Sequence, residues 1–552
     1  MRRRIASVAV LAVVAGLAVS APAMAADDFR TITREGIVLQ YQRVAKTSTP
    51  VRGTGVTRSD FDGDGVDDIA ATGDPFNYTL PYTPTGVVAV RYSSAPQVDY
   101  FLGVLPGTSG GCNCFGLALV AGDFNGDGYD DLAIGDWDEI DPRNGAHAGG
   151  VWIIPGSSTG LVVDSAKHFN QSSPGVPGEP ENYDWFGSGL AAGDINGDGR
   201  DDLAIGAYRE AIGSTAEAGS VTVLFGGVGG LTTTGAQYLH QGLSAVPGAA
   251  ERNDHFGWTL AIGRVNSDRY ADLVIGAPQE NDGQAWNGSG MVTLMWGSAG
   301  GVSSAGATAV TGAMVYAATG NANVIAWYLG EALAIADVNG DGLGEVIAGA
   351  PSAQTPGITG GLIAVFTGRS GGLSSSAVRI ITQDTAGVPG VPEQGDRFGA
   401  TLAAGDVTGD GKADVLVGAP GEAIGSTVEA GLVTLLKGSS AGLTGSGAQS
   451  FDQSNSVVPG WPERGDKFTA SLALLNLNGT GGLDAVVAAP GEEVSGDTVG
   501  YPSGLMTPFY GSTGGLVPQS TWWSGLTLRT DRVWPQRYGL RIAGPQSGGP
   551  LY

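Results

Sequence analysis

One short acidic pattern recurs along this chain at a nearly constant interval, and that recurrence limits the fold more than any other feature. The stretch DFNGDGYDD, residues 123–131, has counterparts whose first positions are Asp60, Asp123, Asp194, Arg264, Asp337, Asp406 and Asn476. The steps are 63, 71, 70, 73, 69 and 70 residues. A period held over a whole chain is the mark of a repeat architecture, and it overrides the several separate domains that 552 residues would otherwise suggest.

Each period keeps one order of parts. A Phe-Gly pair comes first, as in Phe115-Gly116, Phe186-Gly187, Phe256-Gly257 and Phe398-Gly399, with Leu329-Gly330 and Phe468-Thr469 as weaker copies. A short apolar run leads into the acidic loop. A second run then ends in Gly-Ala-Pro, intact at 276–278, 349–351 and 418–420 and varied at 135–137 (GDW) and 206–208 (GAY). Two more short runs follow, separated by turns such as SSTG. Apolar runs of this length bounded by glycine read as strands, and the 94 glycines supply the turns. Four strands cannot bury both faces of their own sheet. Seven such sheets stacked about an axis can, so the expected fold is all-β, a single seven-bladed β-propeller over residues 26–552. A linear β-solenoid has much shorter coils.

The loops read as cation sites. In residues 123–131, Asp123, Asn125 and Asp127 stand at positions one, three and five, Gly128 at six allows a sharp turn, Tyr129 at seven offers its carbonyl, and Asp131 closes at nine. Alternating oxygens around a glycine turn suit calcium, a hard cation that takes six to eight oxygens, better than magnesium, which demands tighter octahedral geometry. The same positions are filled by Asp60, Asp62, Asp64, Val66 and Asp68; by Asp194, Asn196, Asp198, Arg200 and Asp202; by Asp337, Asn339, Asp341, Leu343 and Glu345; and by Asp406, Thr408, Asp410, Lys412 and Asp414. The fourth loop opens with Arg264, whose guanidinium is expected to exclude a metal, and the seventh keeps a single carboxylate, Asp484. Five calcium ions are therefore expected, with a structural role.

The order Phe-Gly, acidic loop, Gly-Ala-Pro resembles the FG-GAP repeat of the integrin α-subunit propeller and of many secreted bacterial proteins. The resemblance covers nearly all of the chain after residue 25. It implies seven blades, calcium in the hairpin loops, and ligand binding on the face opposite those loops. Strand parity gives the same two faces: hairpin loops and the short turns between third and fourth strands on one, the long connections on the other. Function concentrates in long loops on a rigid scaffold. Trp137, Trp185, Trp286, Trp327 and Trp461 fall in those connections, where aromatic rings either stack on a ligand or pack the loops onto the blades.

The first 25 residues have three arginines, an apolar run and Ala23-Met24-Ala25, the layout of a secretory leader cleaved near Ala25. No later run is long and apolar enough to span a membrane. The formal charge is −26, more negative once the leader arginines are gone, which disfavours nucleic acid and favours cations. Cys112 and Cys114 are the only cysteines, too few for a disulfide framework, and either close a small ring or remain thiols. Ser158, Ser370 and Ser440 match G-x-S-x-G but occupy the same turn in three blades, so they are not nucleophile elbows. Arg464-Gly465-Asp466 matches a cell-adhesion tripeptide, yet the slot reads Arg-Asn-Asp and Gln-Gly-Asp elsewhere, within a repeated Glu-x-x-Asp-x-Phe pattern. The expectation is a secreted, monomeric, calcium-stabilised propeller that binds an extracellular protein or carbohydrate. The alternative is an extracellular hydrolase or lyase, phospholipase D-like or polysaccharide-acting, with its site in the long loops.

Overall fold

The computed structural model describes residues 30–43, 58–76, 83–94, 98–105, 114–281, 288–318, 328–353, 360–495, 497, 502–525 and 534–544. Residues 1–25, read above as a leader, and Cys112, Trp286 and Trp327 lie outside the described residues. Among those described, the chain forms seven antiparallel sheets and one short α-helix, Gly312–Ala318.

Six sheets are contiguous in sequence. Blade 2 is Phe115–Gly122, Asp131–Asp136, Gly150–Ile154 and Lys167–Phe169. Blade 3 is Phe186–Gly193, Asp202–Ala207, Ser220–Phe225 and Thr232–Leu239. Blades 4, 5 and 6 begin at Thr259–Gly263, Ala332–Ala336 and Thr401–Gly405 and repeat that order. Blade 7 begins at Ser471–Leu475, and its outer edge is shared by two short strands, Val517–Pro518 and Trp523–Ser524, both on Leu505–Tyr510.

The second strand of each blade explains its own composition. DLAIGA (202–207), DLVIGA (272–277) and DVLVGA (414–419) are buried at every residue. A sheet sandwiched between two others has no solvent face, so its central strands read as continuous apolar runs. Alternation still decides which neighbour is touched. Leu203 and Ile205 pack with Val151 and Ile153 of blade 2, while Ala204 packs with Leu260 and Ile275 of blade 4. Each such aliphatic side chain contributes about 1.5–3 kcal/mol of burial, and it does so only when the neighbouring blade is present.

Blade 1 is composite. Its order from the outside is Arg30–Arg34, Ile37–Gln42, Val98–Leu105, Thr83–Arg91, Ile69–Phe76 and Trp534–Gln536. The segment 36–42 is a candidate outer strand for the last blade in sequence terms; the structure places it instead on the outer edge of the first, paired with Val98–Leu105. The innermost position is filled from the other end of the chain. Gly539 donates to the Thr72 carbonyl and Ala543 to Ala70, while Thr72 N–H donates to Arg541, all at 2.9 Å. Tyr538-Gly539 thereby takes the Phe-Gly slot, and the two ends of the chain meet in one sheet. Around the axis, Ile262, Ile335, Leu402, Leu474 and Ile542 line a narrow cavity of about 150 Å³, into which Arg58 enters and donates to the Ala404 carbonyl at 3.0 Å. Burial lowers the pKa of that guanidinium, with Asp67 opposing.

Candidate metal centres and the opposite face

The hairpin loops are built by their own side chains. In loop 2, Asp123 Oδ1 accepts from the N–H of Gly126 (2.7 Å) and Asp127 (3.1 Å), and Oδ2 accepts from Gly128 (2.8 Å). Asn125 Oδ1 accepts from Asp127 N–H, and Asp127 Oδ1 from Tyr129 N–H. Loops 1, 3, 5 and 6 repeat the bonds of the first position through Asp60, Asp194, Asp337 and Asp406. The glycines are required at positions four and six, where φ is 74° at Gly126 and 83° at Gly128. The ninth position spans the blade. Asp131 Oδ2 accepts from Phe124 N–H at the loop entrance and Oδ1 from Gly156 N–H in the turn between third and fourth strands. Loops and short turns therefore share one face, as strand parity requires.

The donor set fits a hard cation. Asp60, Asp62 and Asp68 are all buried and bring one oxygen each to within 4.8 Å of one another. Burial and like-charged neighbours push the carboxyls up: Asp60 to about 6, Asp202 to about 7 and Asp131 to about 8, with desolvation the largest cause in each. A divalent ion would offset this mutual repulsion while the backbone N–H bonds keep the oxygens in place. At position three, loops 2, 3 and 5 carry asparagine, whose Nδ2 donates to the ninth-position carboxylate, at 2.7 Å from Asn339 to Glu345. The backbone N–H of Val66, Arg200, Leu343 and Lys412 each donates to the fifth-position aspartate, and Thr408 is buried. In the fourth loop, Arg264 folds back so that Nε and Nη2 both donate to the Asp268 carbonyl, at 3.0 and 2.7 Å.

The eighth loop residue carries a role that reading the loop alone does not reveal. Asp130 Oδ2 accepts from Asp60 N–H of the preceding blade (2.8 Å), while Asp130 N–H donates back to the Asp60 carbonyl. Asp201 clasps Asp123 and Asp67 clasps Asn476 in the same two-way manner. These three clasps join blades 7–1, 1–2 and 2–3, the sector around the closure. The available signal is the doubled aspartate that ends the first three loops and is missing from the other four.

On the opposite face the residue before six of the Phe-Gly pairs or their equivalents is left-handed: Trp185, His255, Tyr328, Arg397, Lys467 and Arg537 have φ between 46° and 63°. Such backbone in a non-glycine residue costs about 1–2 kcal/mol. The strain recurs at these six blade entries, so it belongs to the architecture. An aromatic line crosses blades 2 to 4. Trp137 stacks on Trp185 with centroids 5.5 Å apart, Tyr208 meets Trp185 and Trp258 edge-on or tilted, and His255 stacks on Trp258. Arg209 lies 4.4 Å from the Trp185 ring and pairs with Glu217. Trp137 is buried, Trp185 half-buried and Trp461 77% exposed, so these tryptophans do not form one common surface. Beyond the line, a pocket of about 410 Å³ between blades 4 and 5 is lined by Trp258, Gln279, Tyr328, Glu331, Ser352 and Arg397. Arg397 pairs with Glu331 across it. A second pocket of the same volume lies on the loop face beside Asn339, Asp341 and Glu345.

Two sequence motifs lose their functional reading. Asp466 of the Arg-Gly-Asp tripeptide is 1% exposed and accepts from Glu463 N–H, so its carboxylate is not presented. Cys114 is in a disulfide, which removes the thiol alternative.

The geometry defines a repeat-built, seven-bladed β-propeller whose first blade is completed by the far end of the chain. Five stretches, residues 115–154, 186–224, 256–295, 329–362 and 398–436, match the FG-GAP repeat model. They are blades 2 to 6. The chain carries five FG-GAP repeats within a seven-bladed propeller and shares homology with integrin α subunits. Integrin alpha-PS2 of Drosophila melanogaster is 26% identical over 232 residues, 41% of this chain and 14% of that protein. The phosphatidylinositol-glycan-specific phospholipase D of Bos taurus is 33% identical over 201 residues, 34% of this chain and 21% of that enzyme. The matched region thus spans about a fifth or less of these relatives' own length. Among solved structures, the Bacillus licheniformis rhamnogalacturonan lyase PL11 aligns over 95% of this chain and 91% of its own, with 12% identity and a TM-score of 0.30. Integrin-like propellers of this family usually hold divalent cations, their homologues are extracellular or surface proteins, and no helix among the described residues is long and apolar enough to cross a membrane.

Proposed function

We propose that this chain is an exported recognition propeller, stabilised by calcium in loops 1, 2, 3, 5 and 6, which binds an extracellular glycan or protein through the face opposite those loops. The observation that carries the reading is the pocket between blades 4 and 5. Tyr328, half-buried, supplies aromatic surface, with the buried Trp258 in the pocket wall, and Gln279, Ser352, Glu331 and Arg397 supply donors and acceptors around it. A sugar ring presents a C–H face and a fringe of hydroxyls, which this lining matches, and the volume suits one or two such rings. The integrin homology supports a recognition role for this kind of propeller. The phospholipase D match supports the second reading, hydrolysis or elimination on a ligand held in the same long loops.

The test is a screen of glycans and extracellular proteins with calcium-loaded protein, followed by Arg397→Ala and Gln279→Ala on any ligand found. Each substitution is expected to weaken binding about tenfold or more, the scale of one lost polar contact of about 1.4 kcal/mol. Binding that survives both substitutions and is lost on altering the loop face would refute the assignment. Turnover of the bound ligand would decide for the enzyme.

A further inference from the structure

A second acidic set lies on the face opposite the hairpin loops, where the end of each outer strand meets the next blade. Gln171, Gln241, Gln383 and Gln453 each donate from Nε2 to a glutamate 39 residues on: Glu210 (2.5 Å), Glu280 (2.7 Å), Glu422 (2.7 Å) and Glu492 (2.6 Å). Beside each pair stands a buried aspartate, Asp184, Asp254, Asp396 or Asp466, whose Oδ2 accepts from the N–H of a glutamate three residues earlier. In three junctions that earlier glutamate is exposed. At the junction of blades 3 and 4 it is half-buried, and Glu251, Asp254 and Glu280 bring one oxygen each to within 4.8 Å of one another.

Unsatisfied atoms at this junction point to a ligand. Asp254 is fully buried, and its Oδ1 accepts no hydrogen bond; Glu251 Oε2 is buried in the same condition. Gln241, 4% exposed, has an Oε1 with no donor, and a half-turn of its amide would set that oxygen against Glu280. The site is thus rich in acceptors. Carboxylates held this close repel one another, and burial adds to that cost. Oxygen-only donors of this kind suit a hard divalent ion.

We propose that Glu251, Asp254 and Glu280, with the side-chain oxygen of Gln241, form a cation site of calcium type at the blade 3–4 junction, separate from the hairpin loops. The ion ties the long connection between the two blades to the segment that follows the second strand of blade 4. Trp258 stacks on His255, the residue after Asp254, and so stands in position to sensitise terbium luminescence from an ion held there.

The test uses the full chain, stripped by chelator and titrated with calcium and, in parallel, with terbium. Glu251→Gln and Glu280→Gln are each expected to bind one ion fewer per chain than the parent and to lose part of the tryptophan-sensitised terbium signal. Asp194→Asn in a hairpin loop is expected to remove a different ion, so that combining it with Glu251→Gln removes two. Parent stoichiometry in both glutamine variants would overturn the proposal and assign the neutralisation to a proton held between the carboxylates. Glu251 is half-buried, so its variant keeps the measurement decisive should Glu280→Gln fail to fold.

Discussion

Gly206, at the end of the second strand of blade 3, faces the carbonyl oxygen of Gly257 in the Phe-Gly pair of blade 4, and a Cβ on Gly206 would approach that oxygen to under 3.0 Å. Gly135 meets Gly187 in this way, Gly276 meets Gly330, and Gly349 meets Gly399. The two signature glycines of the repeat are therefore halves of one contact, each belonging to a different blade. Gly206→Ala is expected to destabilise the fold by about 3 kcal/mol, because backbone must move at a blade interface. Gly213 lies in the same blade with φ of 64° and nothing within 4 Å of a built Cβ, so Gly213→Ala should cost only the left-handed strain of about 1 kcal/mol. Denaturant unfolding of the two variants checks the difference, and equal losses would refute the contact's importance.

Blade 7 departs from the pattern at Thr469, which holds φ of 87° where the other blades have glycine, is fully buried, and leaves Oγ1 without a partner. A β-branched residue in that conformation is strained, and a buried unbonded hydroxyl adds to the cost. Thr469→Gly is expected to stabilise the protein by about 1 kcal/mol despite the greater flexibility of glycine in the unfolded chain. A lower melting temperature for this variant would contradict the strain argument.

What was legible in the sequence was what the backbone needs locally. An aspartate that must receive three N–H groups, a glycine that must turn left and an apolar strand between them leave a local signature, and seven such signatures at one spacing imply seven blades. The misplacements and omissions concern partners distant in sequence. Asp130 looks like one more loop acid until Asp60, 70 residues away, is seen donating to it. Residues 36–42 carry a clear strand pattern but no mark of which sheet edge they join. The pocket lined by Trp258, Tyr328 and Arg397 draws on the entries to three successive blades, and no local motif announces such a meeting.

Calcium removal should expose the role of the loops. With EDTA the melting temperature is expected to fall by several degrees and to return when calcium is added, since ligand binding to the folded state alone stabilises it by mass action. Asp202→Asn should remove one ion and part of that gain. Arg264→Ala should leave the calcium count unchanged, because the fourth loop lacks the acidic first position and places Arg269 where the other loops have glycine. A melting curve indifferent to chelator would refute a structural role for calcium.

Asp136 stands where most other blades have alanine in the Gly-Ala-Pro segment. It is buried, and its pKa is raised well above the ordinary carboxylate range, first by desolvation and then by Glu139 and Asp138, with Thr85 donating to Oδ2 at 3.3 Å. Below an ordinary aspartate pKa of about 4, folded and unfolded states are both protonated and the group is neutral in effect. As pH rises above that value, the unfolded state ionises first and the folded state loses stability. Asp136→Asn should therefore match the parent near pH 4 and become progressively more stable than it toward pH 8, measured with calcium present throughout. A constant difference across that range would refute the assignment.

The closing strand offers the last test. Residues 538–544 continue from the strand Trp534–Gln536 along the inner edge of blade 1, with hydrogen bonds to Ala70 and Thr72, and Tyr538, Ile542 and Ala543 are buried in two of the hydrophobic clusters that join blade 1 to its neighbours. Deleting the chain after Arg537 removes the contacts of four buried apolar side chains, Leu540 with the three just named, worth several kcal/mol at about 1.5–3 kcal/mol for each large one, and leaves Ala70 and Thr72 without their partners on the inner edge of Ile69–Phe76, where only Asp74–Phe76 stays paired with Trp534–Gln536. Because every blade is buried by its neighbours, the loss is not confined to blade 1. The truncated chain is expected to unfold at markedly lower denaturant concentration and to associate through the open edge, visible by light scattering. A synthetic peptide spanning residues 534–544, added in trans, should restore part of the stability. Truncation without effect on the midpoint would show that the ring is held by its inter-blade clasps, Asp67 with Asn476 and Asp130 with Asp60, and not by the exchanged strand.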